Sequence, residues 1–342
     1  MILHGGLRFK KVLTGSWRFL LLVASWELLV VYLDEIRGFE FIGLPIPLVT
    51  TVGIAVSLYL GFKNTSCFAR WWQARTIWGQ IVNSSRDWGN AVANLMPSDS
   101  MTVDPDIKTR LIERHIAWVN ALAFQLRVQN PRHARQQKWM FGLRRLENRK
   151  DLHQTPESYR THLSDADAAL LDTKTNAASY LLFRQGQELQ SLADQGKIDA
   201  YRHVAMMDRL ARFYDAQGSC ERIKNAPFPR QVADIGKLFT WIFIFMLPLA
   251  FVNLYTIPVD LEGWERWAFA GYTLSMIPFC LLICWVFYLT EQVSASLEDP
   301  FNGDATDVPI STISRMIEID LRQTMEMDNV PDPLPPVEDV AY

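Results

Sequence analysis

Hydrophobic and polar residues along this chain are segregated into blocks. Four blocks are nearly free of charge: Trp17–Leu33, Ile42–Phe62, Leu238–Val259 and Trp267–Thr290. A helix needs roughly 20 mostly apolar residues to cross the hydrocarbon core of a bilayer. The last three blocks meet that need without one charged side chain, whereas the first is shorter and contains Glu27. Arg8, Lys10 and Lys11 ahead of the first block resemble the start of a signal peptide. Glu27 interrupts the run, however, and no small-residue cleavage site follows, so a retained first helix is expected. Between the two pairs of blocks, bulky apolar residues recur at helical spacing. Trp71, Trp78, Ile81, Val82 and Trp88 do so within Arg70–Val92, and the pattern returns in Leu111–Leu126, Ser164–Leu192 and Ala200–Ala216. Gln129–Tyr159 is basic and irregular, and Asp328–Tyr342 is acidic and proline-rich, a composition that alone favours disorder.

The expected fold class is therefore all-α: a polytopic membrane protein with four transmembrane helices and a large helical domain. Residues 1–62 would form an N-terminal arm with helices one and two, and 63–230 the helical domain. Residues 231–295 would form helices three and four, and 296–342 a C-terminal segment and tail.

Charge orients this arrangement. Arg8, Lys10, Lys11 and Arg18 flank the first block, Lys63, Arg70 and Arg75 follow the second, and Arg222, Lys224, Arg230 and Lys237 precede the third. The positive-inside rule then places both termini and the helical domain in the cytoplasm, with the protein in the inner (plasma) membrane. The two short connections face outward. They carry Asp34, Glu35 and Glu40 against Arg37, and Asp260, Glu262 and Glu265 against Arg266. An acidic outer mouth of this kind would concentrate cations.

Composition narrows the function classes. A net charge of −3 over 342 residues gives no basic field for nucleic acid. No H-E-x-x-H, P-loop, G-x-G-x-x-G or Ser/His/Asp set appears, and the six histidines are scattered without ligand spacing. No enzyme activity and no cofactor are expected. Cys67, Cys220, Cys280 and Cys284 contain no C-x-x-C. Cys280 and Cys284 share a helix face in geometry unsuited to a disulfide, so four buried free thiols are expected.

The second block carries the most information. Gly53, Ser57 and Gly61 recur every four residues, and Ile54, Leu58 and Phe62 do the same one position on. At 100° per residue these form two adjacent stripes, one small and one large. Small stripes admit a close helix neighbour in membranes. In a ring of such helices the large stripe would point at the axis, over about 12 Å, as a hydrophobic constriction. Taken alone, the pattern fits ordinary packing better, with the large stripe toward lipid.

Leu60–Arg86, reading LGFKNTSCFARWWQARTIWGQIVNSSR, shifts that balance. Gly61, Phe62, Lys63, Asn64, Phe68, Arg70, Trp71, Gln73, Ala74, Arg75, Trp78 and Gly79 follow a signature of bacterial bestrophins. Cys220–Pro229 (CERIKNAPFP) resembles the same family's entry to the third span. Leu297–Pro309 (LEDPFNGDATDVP) resembles its segment after the fourth, departing from it at Asn302 and Thr306. The chain thus resembles the bestrophin family, bacterial branch, over most of its length, with Gln129–Lys197 unmatched. The resemblance implies a homo-pentameric ion channel in a lipid bilayer, of the chloride-channel type, passing monovalent ions along one axial pore. It makes Ile54, Leu58 and Phe62 the pore neck, and offers Ile198 and Tyr201 as candidates for a second, cytosolic aperture. Family members include anion channels and some that favour cations, so the acidic mouth tilts the expectation toward cations. Asp299, Asp304 and Asp307 sit where eukaryotic members hold a calcium clasp. The dense acidic run of that clasp is missing, and turn chemistry around Pro300 and Asn302-Gly303 is the preferred reading. A non-conducting helical scaffold and a secondary transporter are the competing functions. A transporter would want broken helices; Pro248, Asn253 and Pro278 are available, yet no paired repeat is visible.

Overall fold

A computed structural model describes residues 9–36, 42–97, 106–128, 155–171, 173–226, 228–253, 274–337 and 340–342. Among these, every regular element is a helix apart from one isolated bridge, Val337 to Val340. The chain runs α1 (Phe9–Val31, prolonged by a π turn, Tyr32–Ile36), α2 (Ile46–Leu95), α3 (Ile107–Arg127), α4 (Glu157–Arg160) and α5 (Asp165–Leu171). It continues through α6 (Ala177–Asp194), α7 (Ala200–Asn225), α8 (Arg230–Val252), α9 (Met276–Leu297) and α10 (Ile310–Thr324). Helices α1, α2, α8 and α9 are long and apolar enough to cross a membrane.

Helix α2 organises the molecule. Pro45 and Pro47 stand at its start, where a missing N–H costs nothing, and no proline follows over the remaining 48 residues. Its 50 residues run about 75 Å, more than twice a bilayer core. The sequence pattern suggested two helices separated near Lys63. They are one, because nothing between Phe62 and Arg70 breaks the backbone ladder, so the boundary drawn at 62/63 falls inside an unbroken helix. The opposite difference occurs at Ser164–Leu192. That stretch divides into α5 and α6, since Asn176 takes an extended backbone and its Oδ1 accepts from Ser179 N at 3.0 Å, starting a new helix.

Two cores stack along α2. In the membrane half, α1, α2, α8 and α9 enclose Phe19, Val56, Leu60, Ile244, Leu247, Cys284 and Tyr288. Phe19 stacks on Tyr288 with centroids 4.0 Å apart. Trp26 Nε1 donates to Phe245 O (3.1 Å) and Trp285 Nε1 to Ser16 Oγ (2.9 Å), so the indole N–H groups tie α1 to α8 and α9 without leaving a polar atom bare. Gly53 lies against Phe243; a Cβ there would stand 2.7 Å from the ring. In the polar half, α3, α6, α7 and α10 pack around the rest of α2. Trp88, His115, Trp118 and Phe213 make one aromatic cluster with neighbouring centroids 4.5 to 6.0 Å apart. Trp118 Nε1 donates to Gln217 Oε1 at 3.0 Å, and His115 Nε2 meets Ser85 Oγ at 2.9 Å. Burial lowers the His115 pKa to about 3, so the ring is neutral. All four cysteines are free and buried.

The acidic, proline-rich tail folds back on its own chain. Val340, Ala341 and Tyr342 are buried, and the Tyr342 main-chain oxygen accepts from Thr312 N at 2.6 Å, satisfying an N–H in the first turn of α10.

Candidate functional site

The packing of α2 leaves one side bare along its whole length. In the membrane half Val49, Gly53, Val56 and Leu60 face inward, onto α8 and α9. Ile54, Leu58 and Phe62 face away from the protomer, 58%, 59% and 74% exposed. The small stripe divides: Gly53 is buried within the protomer, whereas Ser57 is exposed, with its hydroxyl returned to Gly53 O at 2.8 Å, and nothing lies within 4 Å of a Cβ at Gly61. The bare side continues below Phe62 as Thr65, Ser66, Ala69, Trp72 and Thr76. Below Phe62 it mixes hydroxyls with the large rings of Phe68 and Trp72, while the buried side remains packed. Beside the stripe, α2, α8 and α9 leave an apolar groove of about 430 Å³, bordered by Ile54, Leu58, Phe251 and Phe287.

The turn just below the stripe is braced by charge. Lys63 is buried, its Nζ 3.2 Å from Glu291 Oε1 and 3.0 Å from Glu298 Oε1, both beyond or at the end of α9's apolar run. Tyr59 donates to Val232 O, and Arg70 to Ile223 O. The bracing holds α2 against α7, α8 and α9 at the level where the stripe ends. Lys63 and Arg70, both in the stretch that resembled a family signature, thus help to fix the helix; only Phe62, Phe68 and Trp72 of that region are exposed large hydrophobics.

The two aperture candidates separate. Ile198 is 4% exposed and belongs to the core of the helical domain. Tyr201, in the first turn of α7, is 90% exposed, and Val204, Met207 and Tyr214 are exposed on the same helix. Of the outer-mouth acids, Asp34 lies in the π turn after α1, and of Glu35 only the backbone is described; Glu40, Asp260, Glu262 and Glu265 lie outside the described residues.

Asp299, Asp304 and Asp307 do not gather their oxygens into a metal-sized cluster. Asp307 Oδ2 accepts from Gly303 N (2.9 Å) and Asp304 N (3.1 Å), which is turn chemistry. Lys224 Nζ fills the space beside them, 3.8 Å from Asp299 Oδ2 and 3.0 Å from Asn302 Oδ1. Burial first, and the Asp304 charge second, raise the Asp307 pKa. What sequence reasoning missed is Lys63 with Glu291 and Glu298: three charges at one level of two long helices were each visible, but their meeting was not.

A profile of the bacterial and fungal bestrophin family matches residues 9–323. The chain belongs to that family. Its relatives include the voltage-dependent anion channel-forming protein YneE of Salmonella typhi, 27% identical over 281 residues, 82% of this chain and 77% of the relative. A voltage-dependent anion channel-forming protein of Mesorhizobium japonicum is 25% identical over 274 residues, 80% of this chain and 73% of its own. Among solved structures, a bacterial bestrophin homolog from Klebsiella pneumoniae superposes with a TM-score of 0.72 at 22% identity, covering 91% of this chain and 98% of that one. At that identity the likeness establishes the bestrophin fold in a multi-pass membrane protein.

Proposed function

We propose that this protein is an anion channel of the inner membrane, built from five copies around one axis, with both termini and the helical domain in the cytoplasm. The observation that carries the proposal is the bare apolar stripe of Ile54, Leu58 and Phe62 on a helix whose opposite side is packed and braced. The same side of the helix stays uncovered by the protomer beyond Phe62 and down the helical domain, where further copies would complete the wall of a passage. Five copies make a hydrocarbon neck that water and ions cross only when it widens, since dewetting closes a narrow apolar passage. The apolar groove beside the stripe gives a second copy a place to seat. Tyr201 is the lining residue at the cytosolic exit.

A hydrocarbon neck has no charge with which to choose an ion, so selectivity resides in the vestibules. The channel-forming relatives are named for anions, which favours anions here against the cation tilt of the acidic loops. Family and relatives together support a channel and not an enzyme. The test uses purified protein in planar bilayers with asymmetric KCl. Conductance is expected to rise in Leu58→Ala and to rise further when Ile54, Leu58 and Phe62 are all alanine, with a reversal potential near the chloride equilibrium value. Unchanged flux through an intact pentamer removes the neck, a reversal near the potassium value removes the anion assignment, and a monomer by light scattering removes the pore.

A further inference from the structure

Glu27 of α1 and Cys280 and Cys284 of α9 form a buried cluster in the membrane half, their ligand atoms all within 4.8 Å of one another. Among the described residues, no N–H or O–H donor reaches either Glu27 carboxylate oxygen; the neighbouring groups are thiols. A carboxylate sunk among apolar side chains without donors demands a partner. At Lys63 the fold supplies one as an ammonium; at Glu27 it supplies two sulfurs. A fourth group stands close by. Pro248 has no N–H to bond the Ile244 carbonyl, and that oxygen lies 3.9 Å from Cys284 Sγ.

We propose that this cluster is a metal site for a divalent ion of the zinc class, with the two thiolates and the Glu27 carboxyl as ligands and the Ile244 carbonyl at its edge. Side chains four apart on a helix have Cβ atoms about 5–6 Å apart. A tetrahedral ion with sulfur at about 2.3 Å holds its two sulfurs about 3.8 Å from each other, a separation this pair reaches without unwinding α9. Binding releases the two thiol protons to solvent, and the two thiolates then cancel the charge of the dication. Sulfur ligands turn away magnesium and calcium. The ion would clamp α1 to α9, and this assignment does not depend on ion conduction.

The test takes the full-length protein in detergent, strips it with chelator, saturates it with zinc alone and removes excess. Metal per protomer is then counted by mass spectrometry, and cobalt is substituted for its thiolate charge-transfer absorption. One zinc per protomer and a cobalt–thiolate band are expected, with both lost in the Cys280→Ser, Cys284→Ser double variant at unchanged oligomer mass. Glu27→Gln is expected to release zinc to chelator faster than wild type. Wild-type protein that stays metal-free at saturating zinc, or that binds zinc without a cobalt–thiolate band, overturns the site, and these two results need no variant to fold. Equal zinc in the double serine variant, or equal release from Glu27→Gln, overturns it as well.

Discussion

The two halves of α2 use the same backbone for different ends. Below Lys63 the helix is clasped: Trp78 and Trp88 are fully buried, Arg86 pairs with Asp320 at 2.7 Å, and Asp87 pairs with Arg209 at 3.0 Å. Gly89 lets α10 approach so closely that a Cβ would stand 2.7 Å from Leu321. Above Lys63 the helix is held on one side, and Ile54, Leu58 and Phe62 on the other side are more than half exposed. The clasped half supplies stability and register. The bare half carries the stripe proposed as the neck, on a helix whose position is fixed from below.

That contrast can be broken at several points. Trp118→Ala opens a large cavity in the aromatic cluster and is expected to cost ~3–5 kcal/mol, seen as a large fall in thermal midpoint; a loss below 1 kcal/mol would mean that this cluster is not what holds the lower half. Lys63→Met leaves the buried Glu291 and the partly exposed Glu298 without their cation, with a comparable expected cost of ~3–5 kcal/mol. Adding Glu291→Gln should recover part of that loss, and a double variant as unstable as the single one would dissolve the brace.

Acid probes the lower half by titration. His115 has a folded pKa of about 3 against an ordinary value near 6.5, so its contribution is whole above pH 6.5 and is lost as pH falls from there toward 3. Its loss at pH 5 is about 2 kcal/mol. Asp307 acts with the opposite sign: its raised folded pKa means that stability is lost as pH rises. Asp307→Asn should therefore steepen the acid limb of a pH–stability curve, and His115→Gln should flatten it; a curve indifferent to both would contradict their burial. The smallest stability change belongs to the bare stripe. Phe62→Ala is expected to shift protomer stability by less than about 0.5 kcal/mol while changing conductance most. A fall in stability as large as that of Trp118→Ala would place Phe62 in a core.

Much of the fold could be read from the chain. The uncharged blocks announce four apolar helices, because a bilayer leaves a backbone few other ways to satisfy its polar groups. The spacing of Trp71, Trp78 and Trp88 announces the buried side of the lower helix. Less legible were the ends. The third helix starts at Arg230 and the fourth ends at Leu297, each beyond its hydropathy block, because polar turns near Lys237 and Glu291 continue the ladder once packed. At the site, the stripe of Ile54, Leu58 and Phe62 was visible as a period of four, but Ile198 and Tyr201 looked alike as apolar candidates. Only packing buried one and bared the other.

By itself the sequence determined the class of the protein: helices, their apolar stretches, the family and the two stripes on the second span. These follow from local periodicity and from the cost of charge in hydrocarbon, both properties of short segments. Tertiary structure decided that α2 is one rod, that Lys63 meets two glutamates, that Glu27 lies against two thiols, and that the large stripe faces outward from the protomer. Each of these depends on which distant segments share a height and a side, and such distances arise only when the helices are laid against one another.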